Sequence, residues 1–372
     1  MKGHLKTILI ITQTILFVSC GNNETPKEKE QEVSKKAQEN EYTDEDWRRD
    51  SVYQYSVIKE FPIVKKLKEY KRTEFVPTLE SNLSNDKNSI YCVTLLYAWN
   101  KIKETILPPI NIINPSSDLK NLNSSKSYFN VLDSNDYKVD VRISGDTIEA
   151  KANFNKSLPY AFRLSNFSGK KKLEFDKNYV SSFGVKGFEA LEAEELKIAY
   201  YKDEDNFIIK LHTTFEDHEI FLFKTSKTFK TMEDYVVELN KKIEIGKKEI
   251  TEEKTKWRYE ITDSDFVYIP KLKFNIENNY ETIEGHEIVS KKNKYIITTA
   301  WQRNAFILYE AGAGISSEAD MVCVAAAGPI REIPKPKHMK FDKPFFIMLK
   351  KTDSKNPYFA MRILNSELMI IE

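Results

Sequence analysis

Histidine side chains are the most versatile groups for metal binding and proton transfer, and the chain has five of them. His4 lies in the amino-terminal segment, and the others are His212, His218, His286 and His338. No two of them have the i,i+4 spacing that places two metal ligands on one helical face. The even separation of His212 and His218 predicts that both lie on one face of a single strand. Because surface histidines are far commoner than metal ligands, the sequence predicts no metal site.

Motifs for nucleophilic, phosphate or redox chemistry are absent from the sequence. There is no Gly-x-Ser-x-Gly elbow, no glycine-rich phosphate loop and no Cys-x-x-Cys pair. Carboxylates are abundant, but no spacing singles out a catalytic pair. Cys92 and Cys323 could join in an oxidising compartment, although two unpaired thiols are favoured. The sequence therefore predicts no catalytic residue, no cofactor and no enzyme.

Cys20 is the residue whose context points to a covalent modification. Two lysines precede an apolar run over 7–18 that ends at Ser19 and Cys20 and is too short to span a bilayer. A small residue directly before such a cysteine resembles the lipobox of bacterial lipoproteins; the alternative is an ordinary signal peptide with an incidental cysteine. We expect residues 1–19 to be a signal peptide. Acyl chains on Cys20 would then anchor an exported lipoprotein at the outer membrane or cell surface.

Composition divides the remainder of the chain into a stalk and a domain. Residues 20–44 are dense in Glu, Lys, Gln and Asn and have few apolar residues, which predicts a flexible, solvated stalk. No linker rich in glycine and proline interrupts residues 45–372, so we expect one domain there. A formal net charge of +1 lacks the basic excess of nucleic-acid-binding proteins, and we expect no nucleic-acid partner.

Hydrophobic periodicity predicts helices first and strands later. A period near 3.6 residues predicts a helix over 45–72, with a break or kink at Pro62. A second helix, apolar on most sides and buried, is predicted over 89–106. From residue 136 onward apolar and polar residues alternate as in strands, with a helix over 232–243. This order of elements indicates an α+β fold.

Several segments of the last third follow one another in a distinctive order. They are a strand with a Pro-Lys pair and a following Phe over 266–276, a short helix ending at Gly285 over 280–288, a strand over 305–312 that ends in Glu310-Ala-Gly312, and two parts of a closing hairpin over 341–347 and 356–363. Upstream, Asn88-Ser-Ile90 opens an apolar run. In this order they resemble the serpin family, which consists largely of suicide inhibitors of peptidases.

The resemblance implies both a fold and a mechanism. Serpins have mixed β-sheets, surrounding helices and an exposed reactive-centre loop that serves as bait. After a serine or cysteine peptidase cleaves and acylates the loop, its hinge inserts as a new central strand and distorts the enzyme. The stretch between Pro109 and Thr147 is short and rich in Asn, Ser and Asp. It implies a reduced helical middle, in which the helix that covers the main sheet is absent or much reduced.

The resemblance places the hinge at the end of the strand over 305–312, and the residues after Gly312 alternate in the way that insertion requires. Glu318 and Asp320 fall on the outward face, so insertion would bury no unpaired carboxylate. The inward face is small or apolar: Ala313, Ile315, Ser317, Ala319, Met321 and Cys323. The hinge is therefore assigned to Glu310, Gly312, Ala313, Ile315, Ser317 and Ala319.

The spacing typical of the family places the scissile bond within a range of residues and not at a single position. Counting forward from Glu310 reaches Ala326, and counting back from Pro344 reaches Ile333. Within that bracket Arg331 would suit a trypsin-like or Arg-specific peptidase, whereas 324–327 would suit an elastase-like one. The candidates are Ala326, Arg331, Glu332 and Ile333.

The hinge also carries features that disfavour rapid insertion. Ile315, Glu318 and Asp320 are bulkier or more charged than the small residues typical of inhibitory serpins. Two hypotheses stand side by side. The first is an anchored inhibitor that traps a peptidase through the 313–340 loop, and the second is a non-inhibitory lipoprotein that uses the fold as a binding or structural module.

Overall fold

Strands make up most of the architecture, with three α-helices among the described residues. The computed structural model describes residues 61–106, 108–144, 147–160, 163–167, 169, 172–187, 195–291, 293–313 and 335–372. The helices are α1 (Thr94–Ile106), α2 (Ser117–Ser124) and α3 (Met232–Glu249), and 3₁₀ helices lie at Leu67–Glu69, Lys256–Arg258 and Ser366–Leu368. The strands are β1 (Lys65–Lys66), β2 (Thr73–Phe75), β3 (Asn88–Cys92), β4 (Ile110–Ile112), β5 (Tyr137–Ser144), β6 (Thr147–Phe154), β7 (Leu158–Pro159), β8 (Ser165–Asn166), β9 (Leu173–Phe175), β10 (Asn178–Val180), β11 (Ser182–Lys186), β12 (Leu196–Asp203), β13 (Asn206–Leu211), β14 (His218–Lys224), β15 (Phe266–Pro270), β16 (Leu272–Asn279), β17 (Glu287–Ser290), β18 (Asn293–Ile296), β19 (Trp301–Leu308), β20 (Gly312–Ala313), β21 (His338–Lys340), β22 (Phe345–Lys351) and β23 (Phe359–Ile363).

A seven-stranded sheet forms the centre of the fold, in the order β12, β13, β14, β22, β23, β3, β2. Its strands are antiparallel except for the β2–β3 pair. All but one residue of β22 and β23 is buried, because both faces of the sheet are covered. Helix α3 lies so close to the end of this sheet that a Cβ on Gly246 would come within 2.0 Å of the Ala199 carbonyl oxygen. Only glycine allows that approach.

A second group of strands forms the layer that carries the predicted loop. β1, β16 and β19 form one sheet, β5 and β6 form a hairpin, and α1 packs against β5, β6 and β19. On the outer face of the hairpin Asp140 stands opposite Lys151, and Arg142 stands opposite Glu149. Opposite charges in such cross-strand positions stabilise a solvated face. This face needs no covering helix, which agrees with the expected reduced middle, since α2 is the one helix within 108–144.

The fold class predicted from the sequence, α+β, is confirmed by mixed sheets with few helices. The predicted helix over 232–243 is confirmed and continues to Glu249. The closing hairpin is also confirmed, because Phe345 pairs with Ile363 and Leu349 pairs with Phe359. Among the described residues no helix is both long enough and apolar enough to cross a bilayer.

The predicted helix over 89–106 begins too early. Residues Asn88–Cys92 form β3, and α1 starts at Thr94. β3 lies between β23 and β2 and is buried on both faces, so its apolar run does not alternate. A short run of this kind cannot be distinguished from a buried helix by periodicity alone.

Three further predictions are corrected by the structure. The carboxyl-terminal part of the predicted helix over 45–72 is instead β1 and a 3₁₀ turn, because Lys65 and Lys66 pair with β16; residues 45–60 lie outside the described part. Residues 281–285 form a turn rather than a helix, ending at Gly285 with a φ of 81°. His212 and His218 do not share a strand, since the first follows β13 and the second begins β14.

Candidate functional site

The strand that leads into the predicted loop is β19, which pairs with β16 along its whole length from Trp301–Asn279 to Leu308–Leu272. Its inward side chains, Gln302, Asn304, Phe306 and Leu308, are buried. Gln302 accepts a hydrogen bond from the Tyr280 hydroxyl at 2.7 Å and donates to the Cys92 carbonyl at 3.0 Å. The Nδ2 of Asn304, in contrast, is buried with no hydrogen-bond partner among the described residues. An unpaired buried amide costs about 1–3 kcal/mol, which makes Asn304 a position that requires explanation.

After β19 the chain folds back on itself in a tight turn. Tyr309 N–H donates to the Gly312 carbonyl at 3.2 Å, and Gly312 N–H donates to the Tyr309 carbonyl at 3.3 Å. Gly312 has a φ of 138°, and a Cβ there would lie 2.7 Å from the Leu158 carbonyl oxygen. The position therefore favours glycine for both conformational and steric reasons.

The returning strand β20 lies against β7, with Gly312 opposite Pro159 and Ala313 opposite Leu158. Tyr160 N–H also donates to the Ala311 carbonyl at 3.2 Å. Ala313 is buried, and so is its neighbour Gly312. The hinge thus begins as a short strand between β19 and the segment that follows β6.

A buried carboxylate at the turn ties the hinge to two neighbouring segments. Glu310 forms ion pairs with Lys271 at 2.6 Å and with Arg163 at 3.0 Å. Its side chain is 5% exposed and that of Lys271 is 11% exposed. Burial by itself would raise the pKa of Glu310, but the hydrogen bonds and charges of Lys271 and Arg163 outweigh it and lower that pKa. Glu310 is therefore ionised at neutral pH and holds the end of β19 to the start of β16.

Two longer strands, β6 and β19, precede the two short strands of the described hinge region. β7 follows β6 after three residues, β20 follows β19 after a turn, and β7 and β20 pair antiparallel to each other. Within the described sheets, β6 pairs with β5 and β19 pairs with β16, each along one edge. Both strands pack on α1. A strand that continued β20 would extend the antiparallel pairing that β20 makes with β7.

The far end of the predicted loop returns to a different sheet. β21 pairs in parallel with β15 at the edge of a four-stranded sheet. Just before β21, Lys337 forms an ion pair with Asp265 at 2.8 Å, and both side chains are buried. The Lys337 backbone N–H also donates to Asp265 at 2.6 Å. These contacts fix the distal end of the loop while its proximal end lies between β7 and β19.

The structure brings together three of the predicted hinge residues, Glu310, Gly312 and Ala313. The other predicted site residues lie outside the described part of the chain: Ile315, Ser317, Ala319, Ala326, Arg331, Glu332, Ile333 and the lipidation residue Cys20. Sequence reasoning did not identify Lys271, Arg163 or Asn304 as part of the site. Lys271 belongs to the Pro-Lys pair at the end of β15, which was a usable signal; Arg163 and Asn304 have no local signal.

His212 lies beside this region and is expected to make the fold sensitive to acid. Nearby, Thr214 N–H donates to the Pro159 carbonyl at 2.9 Å. Burial, and then the charges of Lys197 and Lys210, lower the pKa of His212 to about 4. A histidine whose folded pKa is depressed stabilises the fold above its unfolded pKa, and that stability is lost as the pH falls from about 6.5 to about 4.

We expect His212→Gln to flatten the fall in unfolding free energy between pH 7 and pH 5 by on the order of 1 kcal/mol, allowing for solvent screening. Urea unfolding at the two pH values measures the difference. His338→Gln, at a partly exposed position of β21, serves as the control. Parallel curves for the parent and His212→Gln would contradict the assignment.

Comparisons with known proteins give structural neighbours but no relatives in sequence. No family model matches the chain, and no curated protein matches it. The thermophilic serpin tengpin in its native state is similar with a TM-score of 0.35 and 12% identity, over 60% of this chain and 57% of that one. Serpin 12 of Manduca sexta has a TM-score of 0.35 and 12% identity, over 57% and 55%. The mouse protein Z-dependent protease inhibitor has a TM-score of 0.33 and 15% identity, over 57% and 53%. The chain thus spans little more than half the length of the serpins to which it is similar.

Proposed function

We propose that this chain is a serpin-like peptidase inhibitor that traps its target through cleavage of the 313–340 loop and insertion of the hinge between β6 and β19. The observation that carries the proposal is β20. Gly312 and Ala313 already form a two-residue strand antiparallel to β7, and Gly312 also bridges to Tyr309, the residue directly after β19. Residues after Ala313 that joined this strand would lengthen an existing strand rather than start a new one.

The register of that pairing supports the proposal. Tyr309 stands opposite Gly312. Continued in the same register, the strand would set Ile315 opposite Phe306, Ser317 opposite Asn304 and Ala319 opposite Gln302. These β19 residues face inward, as the sequence requires of the hinge residues. A hydroxyl opposite Asn304 would offer its unpaired amide a partner.

The outward face of the inserted strand would also match β19. The same register sets Glu318 opposite Arg303, whose side chain is partly buried on the outward side. Opposite charges at directly facing positions contribute roughly 0.2–1 kcal/mol. The charged side chains that distinguish this hinge from hinges of small residues would therefore be accommodated after insertion. Their size would still slow the entry of the strand into the sheet.

The partner implied by this function is a serine or cysteine peptidase. Its nucleophile would attack the scissile carbonyl within 326–333, release the amino group of the following residue, and remain bound to the loop as an ester or thioester. Insertion would then carry the acyl-enzyme away from the geometry that its hydrolysis requires. Arg331 would select a trypsin-like or Arg-specific target, and 324–327 an elastase-like one.

A gel experiment tests this function and its alternative. The mature chain carrying Cys20→Ser would be incubated with a panel of serine and cysteine peptidases and separated under denaturing conditions. A covalent complex of summed mass supports the inhibitor, and it should be absent when the peptidase nucleophile is blocked beforehand. Cleaved chain without any complex, across the panel, would favour the non-inhibitory binding or structural module.

The proposed location is the outer membrane or cell surface, with Cys20 as the anchor and residues 21–44 as the stalk. Cys20→Ser removes the acylated side chain, so we expect the variant to move from the membrane fraction to the soluble fraction. Fractionation followed by a carbonate wash measures this, with Cys92→Ser as a matched control that stays with the membrane. Membrane retention of Cys20→Ser through the wash would refute the anchor.

A further inference from the structure

Residues Lys65 and Lys66 belong to the sheet that carries the hinge. Lys65 and Lys66 of β1 pair in parallel with Ile276 and Glu277 of β16. Just before β1, the Pro62 carbonyl accepts a hydrogen bond from the Asn275 Nδ2 at 2.8 Å. Asn275 is 3% exposed, although it lies on the same side of β16 as the exposed Lys273.

The other end of the same amide reaches the strand that borders the hinge. Arg303 Nε on β19 donates to the Asn275 Oδ1 at 2.7 Å. A single side chain of β16 thus links the segment just before β1, on its donor side, to β19, on its acceptor side. The hydrogen-bond direction is fixed at both ends, since a carbonyl can only accept and a guanidinium can only donate.

We propose that Asn275 is a positioning residue for β19, and that residues 61–66 control it. While Pro62 holds the Nδ2, the Oδ1 points at Arg303 and fixes β19 against β16. When residues 61–66 leave the sheet, the amide loses its fixed orientation and β19 becomes more mobile. This regulation rests on the proposed function, in which β19 is one wall of the insertion site, but the contact itself exists in the uncleaved chain.

The proposed lipid anchor could regulate β19 through these contacts. In the proposed lipoprotein, residues 61–66 lie between the stalk and the rest of the domain in sequence. A pull on the tether that reached β1 would act through Asn275 on β19. Whether β1 is paired with β16 would therefore determine how easily β19 moves to admit the hinge.

Hydrogen exchange on the full-length chain, without any peptidase, tests the coupling. Lys65→Pro removes a backbone N–H and disfavours the β1 strand at an exposed position. We expect exchange over 61–66 to rise, and exchange over 301–308 to rise about tenfold, with α3 unchanged. Asn275→Ala should raise exchange over 301–308 to a similar degree.

A rescue variant separates positioning from simple loss of structure. Adding Asn275→Asp to Lys65→Pro supplies a carboxylate that holds Arg303 without help from Pro62. Exchange over 301–308 should then return close to the parent value while 61–66 stays unprotected. Asn278→Asp, on the same strand but outside the contact, should give no rescue. Unchanged exchange over 301–308 in Lys65→Pro, or failure of the rescue, would overturn the proposal whether or not a covalent peptidase complex forms.

Discussion

Cleavage of the loop between Ala325 and Ile333 is expected to raise the melting temperature by on the order of 10 °C, if the hinge inserts as proposed. A new central strand as long as β19, which has eight residues, gains ladder hydrogen bonds on two edges. Each is worth about 1 kcal/mol net, and burial of Ile315 adds roughly 1.5–3 kcal/mol. Ordering the strand offsets part of this, which leaves a gain of several kcal/mol. Limited proteolysis followed by calorimetry measures it.

Two hinge variants test the register of that strand. Ile315→Glu places a carboxylate opposite the buried Phe306 and should abolish the gain, because an unpaired buried charge costs several kcal/mol. Glu318→Ala, on the outward face, should leave the gain intact or enlarge it. No rise in the cleaved parent would rule out insertion and leave the binding or structural module. A rise that survives Ile315→Glu would show that the assigned register is wrong.

The α+β class and the strand that leads into the hinge could be predicted from the sequence because both depend on local patterns. β19 alternates between inward and outward residues, and Gly312 stands where a tight return is needed. β3 could not be recognised as a strand, since its neighbours β23 and β2 bury both of its faces and remove the alternation. The pattern that identifies a strand exists only where one face meets water.

The contacts that hold the hinge could not be predicted, because they join residues far apart in sequence. Lys271 and Arg163 reach Glu310 from the start of β16 and from the segment after β7. Asn275 meets Pro62 and Arg303 across three strands. Each of these side chains is ordinary in its local context, and only the sheet order gives it a partner. The local periodicity of apolar residues does not show which distant strands pair with each other.

Glu310→Ala is expected to be among the most destabilising single changes at the hinge, at about 3–5 kcal/mol, because it leaves the buried Lys271 without a counter-charge. In a protein of this size that corresponds to a fall of roughly 10 °C in melting temperature. Arg163→Ala should cost less than about 1 kcal/mol, since the Arg163 side chain is 56% exposed and solvent screens its pair.

A double-mutant cycle with Lys271→Met separates the charge effect from the loss of packing. Once Lys271 is replaced by an apolar residue, the buried cation that makes Glu310→Ala costly is gone. The double variant should therefore be destabilised by clearly less than the sum of the two single variants, measured by urea unfolding at pH 7. Strict additivity would show that Glu310 acts through the turn alone. In that case Gly312 and the β7–β20 pairing would hold the start of the hinge. Protonating the Glu310 carboxylate at low pH would then leave Gly312 and Ala313 in place.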